Sequence, residues 1–218
     1  MKITWLGHSC FKIENKDYVV IFDPTEDNYV PGIKPIREKA NMVICSHEHG
    51  DHNARHLIEL DESKPCPYII TGIDTFHDEN RGQQRGENRI TVLDDGEIKV
   101  AHFGDLGCIP EDFQLEELLN LDIALIPVGG FYTIDADTAA RIVNMIKPRI
   151  VIPMHYRDDE KGFGFDVISR VDDFVQAMGH AEFKEMSAIE VEPRVIGEMN
   201  EADSGETRVV VLEPLYNK

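Results

Sequence analysis

Nowhere in this 218-residue chain is there an apolar run close to the roughly 20 residues a membrane helix needs, so a protein without membrane spans is expected. The first residues, Met1-Lys2-Ile3-Thr4-Trp5-Leu6-Gly7-His8, contain no basic leader, apolar run or small-residue cleavage site, which predicts a cytoplasmic location. Cysteine is scarce. Cys10, Cys45, Cys66 and Cys108 have no C-x-x-C spacing, which points to reduced thiols and away from a disulfide framework or a zinc finger. Positive charge is scarce as well: 22 Lys and Arg stand against 41 Asp and Glu, a formal net charge of −19. Two bound divalent cations would change this only to −19 + 4 = −15. Such a surface disfavours nucleic acid and anionic lipid as partners, and a small-molecule substrate is expected instead. A homo-oligomer is compatible with the sequence, which does not require one. No Pro-, Gly- or Ser-rich linker divides the chain, so a single domain over 1–218 is expected.

What is present is alternation and short apolar runs. Strands are predicted at 3–6, 10–14, 18–22, 42–45, 68–70, 90–93, 98–103, 123–126, 150–152 and 209–212, with Asp95-Gly96 as a hairpin turn. The segment 24–41, with Pro24, Pro31 and Pro35, reads as a long loop. A helix is predicted from Asp135 or Asp137 to Pro148, its stripe formed by Ala139, Ile142, Val143 and Ile146. A second should begin at Pro110 and bury Leu115, Leu118 and Leu119, and a third should cover 167–178 up to Gly179. The acidic segment 198–206 reads as a surface loop. Strands and helices mixed through both halves suggest two packed sheets with helices outside, although periodicity alone does not exclude a doubly wound sheet.

Directly after the apolar run 42–45 comes Ser46-His47-Glu48-His49-Gly50-Asp51-His52. Three imidazoles and two carboxylates within six positions are ligand types suited to Zn²⁺, Fe²⁺ or Mn²⁺, and Gly50 lets the segment curl so that His47, His49, Asp51 and His52 converge. Four such groups exceed what one open catalytic zinc takes, which favours two metal ions.

This H-x-H-x-D-H arrangement resembles the signature of the metallo-β-lactamase superfamily, and later segments extend the likeness over roughly residues 3 to 156: Phe76-His77-Asp78, Phe103-Gly104-Asp105-Leu106-Gly107 and Ile152-Pro153-Met154-His155-Tyr156. The resemblance implies an α+β fold, a four-layer αββα sandwich of two mixed β-sheets flanked by helices. It also implies the ligand set. His47, His49 and His77 would hold one ion, Asp51, His52 and His155 a second, and Asp105 would bridge them. The implied activity is that of a binuclear hydrolase that turns a metal-bridging hydroxide, oriented by Asp51 as catalytic residue, on a small ester, lactone or phosphodiester. Zn²⁺ is the expected metal, with Mn²⁺ or Fe²⁺ as substitutes. Trp5-Leu6-Gly7-His8-Ser9 and Pro127-Val128-Gly129-Gly130 are similar to a cytosolic branch that includes lactonases of the L-ascorbate-6-phosphate type. Relatives carry histidine where this chain has Cys108, which leaves the role of that position open.

Around this set, His8, Arg81, Arg85 and Tyr132 are candidates for the substrate pocket, the two arginines lying in a glycine-rich loop whose amides could cradle a phosphate or carboxylate. A plain mobile loop is the blander reading of that segment. His102 fits a hydrogen-bonded core residue better than a pocket residue, Glu48 should point outward, and Cys45 and Cys108 read as packing residues. Two rival functions remain at this level: an iron-dependent thiol oxygenase or redox protein on the same fold, and a non-catalytic metal-binding protein.

Overall fold

The structure is a computed structural model that describes residues 1–193 and 206–217. All but the last residue of the acidic segment 198–206 lies outside the described residues.

The expected meander is present: β1 (Lys2–Gly7), β2 (Cys10–Asn15) and β3 (Tyr18–Phe22) pair antiparallel. After the proline-containing loop, β4 (Lys39–Ala40) pairs with β6 (Glu59–Leu60), and between them β5 (Met42–Ile44) joins β3 in parallel. The larger sheet takes β7 (Ile69–Phe76), β8 (Glu87–Asp94), β9 (Lys99–His102), β10 (Ile123–Pro127), β11 (Ile150–Met154), β12 (Glu182–Phe183) and β14 (Arg208–Val211) in the order β12-β14-β11-β10-β9-β8-β7. The smaller sheet is completed by β13 (Ala188–Glu190), giving β13-β1-β2-β3-β5. Both sheets mix parallel and antiparallel pairs. Their contact is visible in the rings, where Phe22 of β3 stacks on His102 of β9 at 4.7 Å and 3°. One hydrophobic cluster runs from Ile3 to Leu212 and includes Trp5, Phe11, Phe103 and Phe174. This is the α+β sandwich the sequence led us to expect.

Among the described residues three α-helices lie in connections of the larger sheet: α1 (Asp112–Glu117), α2 (Ala136–Ile146) and α3 (Val171–Met178). In α2 the whole predicted stripe is buried. The Asp135 carboxylate accepts the Thr138 N–H at 2.9 Å at its start, and the left-handed Lys147 ends it just before Pro148. The other helices are shorter than expected. Helix α1 starts past Pro110 and stops before Leu119, which is 45% exposed rather than buried. Helix α3 begins four residues later than 167, because the backbone ahead of it is spent elsewhere. The Ser169 N–H donates to the Gly129 carbonyl at 2.6 Å, and Arg157 N–H donates to Ser169 O at 3.1 Å. The run at 68–70 belongs to a longer strand that reaches Phe76. As the edge of its sheet, β7 leaves Ile69 and Ile70 exposed despite their apolar side chains.

Strand direction sets up the site. β1, β3 and β5 share one direction, since β2 is antiparallel to β1 and to β3 while β5 is parallel to β3. β7, β9, β10 and β11 likewise share one direction. In each sheet the chain therefore leaves these strands along one edge, the position at which layered sheets gather ligand-binding groups.

Candidate metal centre

The candidate residues are supplied by strand ends. His8 follows β1, the segment 46–52 follows β5, His77 follows β7, and His155 follows β11; Asp105 lies just past β9. Several of these turns use left-handed backbone, with φ of 54° at His8 and 54° at His155. Gly104 has φ of 57°, and a Cβ there would lie 2.3 Å from Asn88 Oδ1 and 2.4 Å from Ser46 Cβ, so only glycine lets the β9 end close over the motif.

All seven residues expected to bind metal come together. The ligand atoms of His47, His49 and His77 lie within 4.8 Å of one another, as do those of Asp51, His52 and His155, which His8 joins. Asp105 stands between the two groups: its Oδ2 is 3.2 Å from His77 Nε2 and 3.3 Å from His155 Nε2, and its Oδ1 is 3.1 Å from His52 Nε2. His8, expected in the pocket wall, is instead buried beside the second group, its Nε2 3.3 Å from Asp51 Oδ2 and its ring 4.1 Å from that of His155.

Hydrogen bonds behind the cluster fix which ring nitrogen is free. The Nδ1–H of His52 donates to Asp23 Oδ2 at 2.7 Å, leaving Nε2 bare toward the site. Ser46 Oγ donates to the same Asp23 oxygen at 2.7 Å, so it must accept from His47 Nδ1–H at 2.9 Å, which again leaves Nε2 bare. The Asp105 N–H donates to Asn88 Oδ1 at 2.9 Å, and Asn88 in turn donates to Thr75 Oγ1 and to Phe103 O. Sequence reasoning missed Asp23 and Asn88. The signal for Asp23 was its place directly after a buried strand, the position that His155 also occupies; Asn88, inside a strand, gave none.

Charge shows what the cluster needs. Burial, with His155 beside it, lowers the pKa of His8 to about 4; burial, with His52 beside it, lowers that of His47 to about 3. Burial and then His77 also lower His49. Burial opposes the ionised forms of Asp51 and Asp105 too, but the surrounding histidines outweigh it and hold both well below the usual carboxylate range. Burial likewise opposes a charged His52, yet Asp105, Asp51 and Asp23 raise its pKa. The cluster thus packs three ionised carboxylates and several neutral imidazoles into a buried volume. Within it, both ring nitrogens of His8 and His155, Nε2 of His47 and His52, and Oδ1 of Asp105 have no hydrogen-bond partner among the described residues. Each such orphan costs on the order of 1–3 kcal/mol when left unpaired. Divalent cations would satisfy both the lone pairs and the negative charge, so these residues fit a metal site.

Above the cluster lies a cavity of about 360 Å³ lined by Tyr29, His49, Asp51, His77, Arg85, Asp105, Tyr132 and Phe165. Arg85 and Tyr132 stand where the sequence suggested; Arg81 is exposed and does not line this cavity. The loop's amides are not free either. The Asp78 carboxylate takes the N–H groups of Asn80 and Arg85 at 2.8 Å, of Gly82 at 3.1 Å and of Gln84 at 3.0 Å, filling the cradle from within. His102 is a satisfied core residue, its Nδ1 accepting from Gly104 N–H and its Nε2 donating to Ser9 O at 2.8 Å. Glu48 points outward and pairs with Arg55 at 3.4 Å. Burial, then Asp23, pushes the Cys45 thiol up to about 12, which does not suit a nucleophile. Tyr29 and Phe165, in stretches without periodicity, were not foreseen.

Fold and site together define a metal-dependent hydrolase, and the chain belongs to the beta-lactamase superfamily, whose domain model matches residues 2–155. Relatives narrow this further. A UPF0173 metal-dependent hydrolase of Thermoplasma acidophilum is 29% identical over 187 residues, covering 72% of this chain and 83% of its own. A UPF0173 protein of Pyrococcus furiosus is 30% identical over 181 residues with the same coverage, 72% and 83%. The crystal structure of a protein from Thermotoga maritima, described as a Zn-dependent hydrolase of the metallo-β-lactamase superfamily, superposes with a TM-score of 0.72 at 32% identity, covering 97% of this chain and 98% of that one. Among the described residues no helix is long and apolar enough to cross a membrane.

Proposed function

We propose that the protein is a binuclear hydrolase of the lactonase-like branch, built on one domain and acting in the cytoplasm on a small ester, lactone or phosphodiester. The observation that carries this reading is the division of the cluster into two ligand groups with Asp105 between them. His47, His49 and His77 would hold one ion, and Asp51, His52 and His155, with His8 as a further donor, the other. Zn²⁺ suits this nitrogen-rich set. Two such ions supply an acidified water and polarise the oxygen of the bond to be cut. Asp51, at the floor of the cavity with one carboxylate oxygen 3.3 Å from His8 and 3.6 Å from His52, is placed to orient the attacking hydroxide. Tyr29, Tyr132 and Phe165 line the cavity with aromatic surface beside the reacting centre. The acidic surface, formal charge −19, supports a small substrate over a nucleic acid.

The test is elemental analysis of protein purified without added metal, joined to a panel of aryl esters, lactones and phosphodiesters. About two ions per chain and turnover abolished by Asp51→Ala are expected. A single iron with oxygen consumption on thiol substrates would replace this reading, and metal without turnover of any substrate would leave a binding protein.

A further inference from the structure

The metal cluster accounts for where a bond is cut; it says nothing of what the rest of the substrate carries. That information sits in Arg85. Its backbone is fixed by the N–H bond to Asp78, and its guanidinium carbon lies over two rings, 5.6 Å from the centroid of Tyr132 and 5.9 Å from that of Phe131. The side chain is half-buried, and its position is set before any ligand arrives.

Its guanidinium is nevertheless unspent. In a chain with 41 acidic residues, Arg37, Arg55, Arg89, Arg149, Arg157 and Arg208 each pair with a carboxylate within 3.4 Å. Arg85 has no ion pair among the described residues, although acidic Asp78 and Glu79 share a cavity wall with it. Asp78 is already committed to four backbone amides. Arg85 borders the 360 Å³ cavity over the cluster, a cavity of about 520 Å³ beside His47, and one of about 710 Å³ that is also lined by Arg141, likewise without an ion pair among the described residues. A fixed, partly desolvated guanidinium with a free fork of donors is complementary to a carboxylate or phosphate. Placing it beside a site that gathers cations is costly unless an anion arrives to offset it.

We propose that the substrate carries an anionic oxygen group, carboxylate or phosphate, apart from the bond that is cut, and that Arg85 holds this group at the junction of the cavity over the cluster with the largest of the three, which takes the rest of the molecule. The proposal rests on the hydrolase reading, and the experiment separates the two. Metal-loaded wild type, Arg85→Gln and Arg85→Lys are assayed on p-nitrophenyl valerate and on mono-p-nitrophenyl glutarate, which share the scissile ester and chain length and differ by one carboxylate. Wild type should prefer the glutarate ester by about ten-fold or more in kcat/KM through a lower KM. Arg85→Gln should bring that ratio near one, with part of it kept by Arg85→Lys. An equal ratio in wild type and Arg85→Gln overturns the proposal. If wild type cleaves neither ester faster than Asp51→Ala, the hydrolase reading fails on these substrates, and calorimetric binding of glutarate and of inorganic phosphate then decides. Binding of either weakened about ten-fold or more by Arg85→Gln supports the anion site and tells carboxylate from phosphate, whereas equal binding, or none, overturns it.

Discussion

The two halves of the candidate centre are built differently. The outer group, His47, His49 and His77, consists of imidazoles alone and includes His49, the most exposed of the candidate ligands. The inner group, His8, Asp51, His52 and His155, is no more than 9% exposed, contains a carboxylate of its own, and has Asp23 fully buried behind His52. Negative charge and burial therefore concentrate on the inner side, whereas the outer side draws on the shared carboxylate, Asp105. The lesson is that the inner position is organised by the fold itself, and the outer one is completed from a rim that solvent reaches.

The largest effect is expected from Asp105→Ala, which removes the group both halves share. Ion content should fall from about two per chain to one or fewer and turnover by more than about 100-fold, read by elemental analysis and by the ester panel. Asp23→Ala should come next and act most on the inner half, where His52 bonds Asp23 directly, and less on the outer, which it reaches through Ser46 and His47. Affinity at the inner half should drop about 10–100-fold, with His52 and Ser46 losing their acceptor, and chelator competition will show whether the inner ion leaves first. Loss of the outer ion ahead of it would reverse the assignment of inner and outer. His49→Ala should spare the inner half and leave about one ion per chain; joint release of both ions would mean that the halves are not separable.

The smallest effect is expected far from both, at the β12 edge. There hydrogen bonds from Arg208 and then Lys184 hold the Glu182 carboxyl down to about 2. A depressed folded-state pKa gives stability that is present above the ordinary value of 4.5 and lost as pH falls toward about 2. Because the Glu182 side chain is 41% exposed, Glu182→Gln should cost less than about 0.5 kcal/mol in denaturant melts at neutral pH and leave metal content unchanged.

Much of this was legible in the chain because the residues concerned obey a local rule. The α2 stripe buries as written, since a 3.6-residue period with an Asp cap has one stable way to face a core. In the metal set the dense segment 46–52 after an apolar run was legible from its residues, whereas His77, Asp105 and His155 were legible only through the family resemblance. Strand β7 was partly hidden, since Gly72 and the exposed Thr71 and Asp74 break the apolar signal on an edge that needs no burial. Residues whose side chains bond backbone outside regular elements, near as for Asp78 or far as for Asn88, were hidden most. Nothing adjacent to Asp78 announces that its carboxylate fills its own loop, and nothing near Asn88 announces that it ties β8 to the Asp105 turn.

The left-handed backbone at the strand ends has a consequence for the protein's history. Asp23 at φ 44°, His8 at φ 54° and His155 at φ 54° each hold a conformation that costs a residue with a Cβ about 1 kcal/mol or more and costs glycine almost nothing. At His8 and His155, whose ring nitrogens are unpaired among the described residues, glycine would relieve strain and, in doing so, dismantle the centre, whereas at Asp23 the hydrogen bonds its carboxylate accepts from Ser46 and His52 outweigh the strain. The bulky polar side chains at the first two positions are a trade of stability against chemistry, and a thermostability screen without an activity filter should recover glycine at His8 and His155.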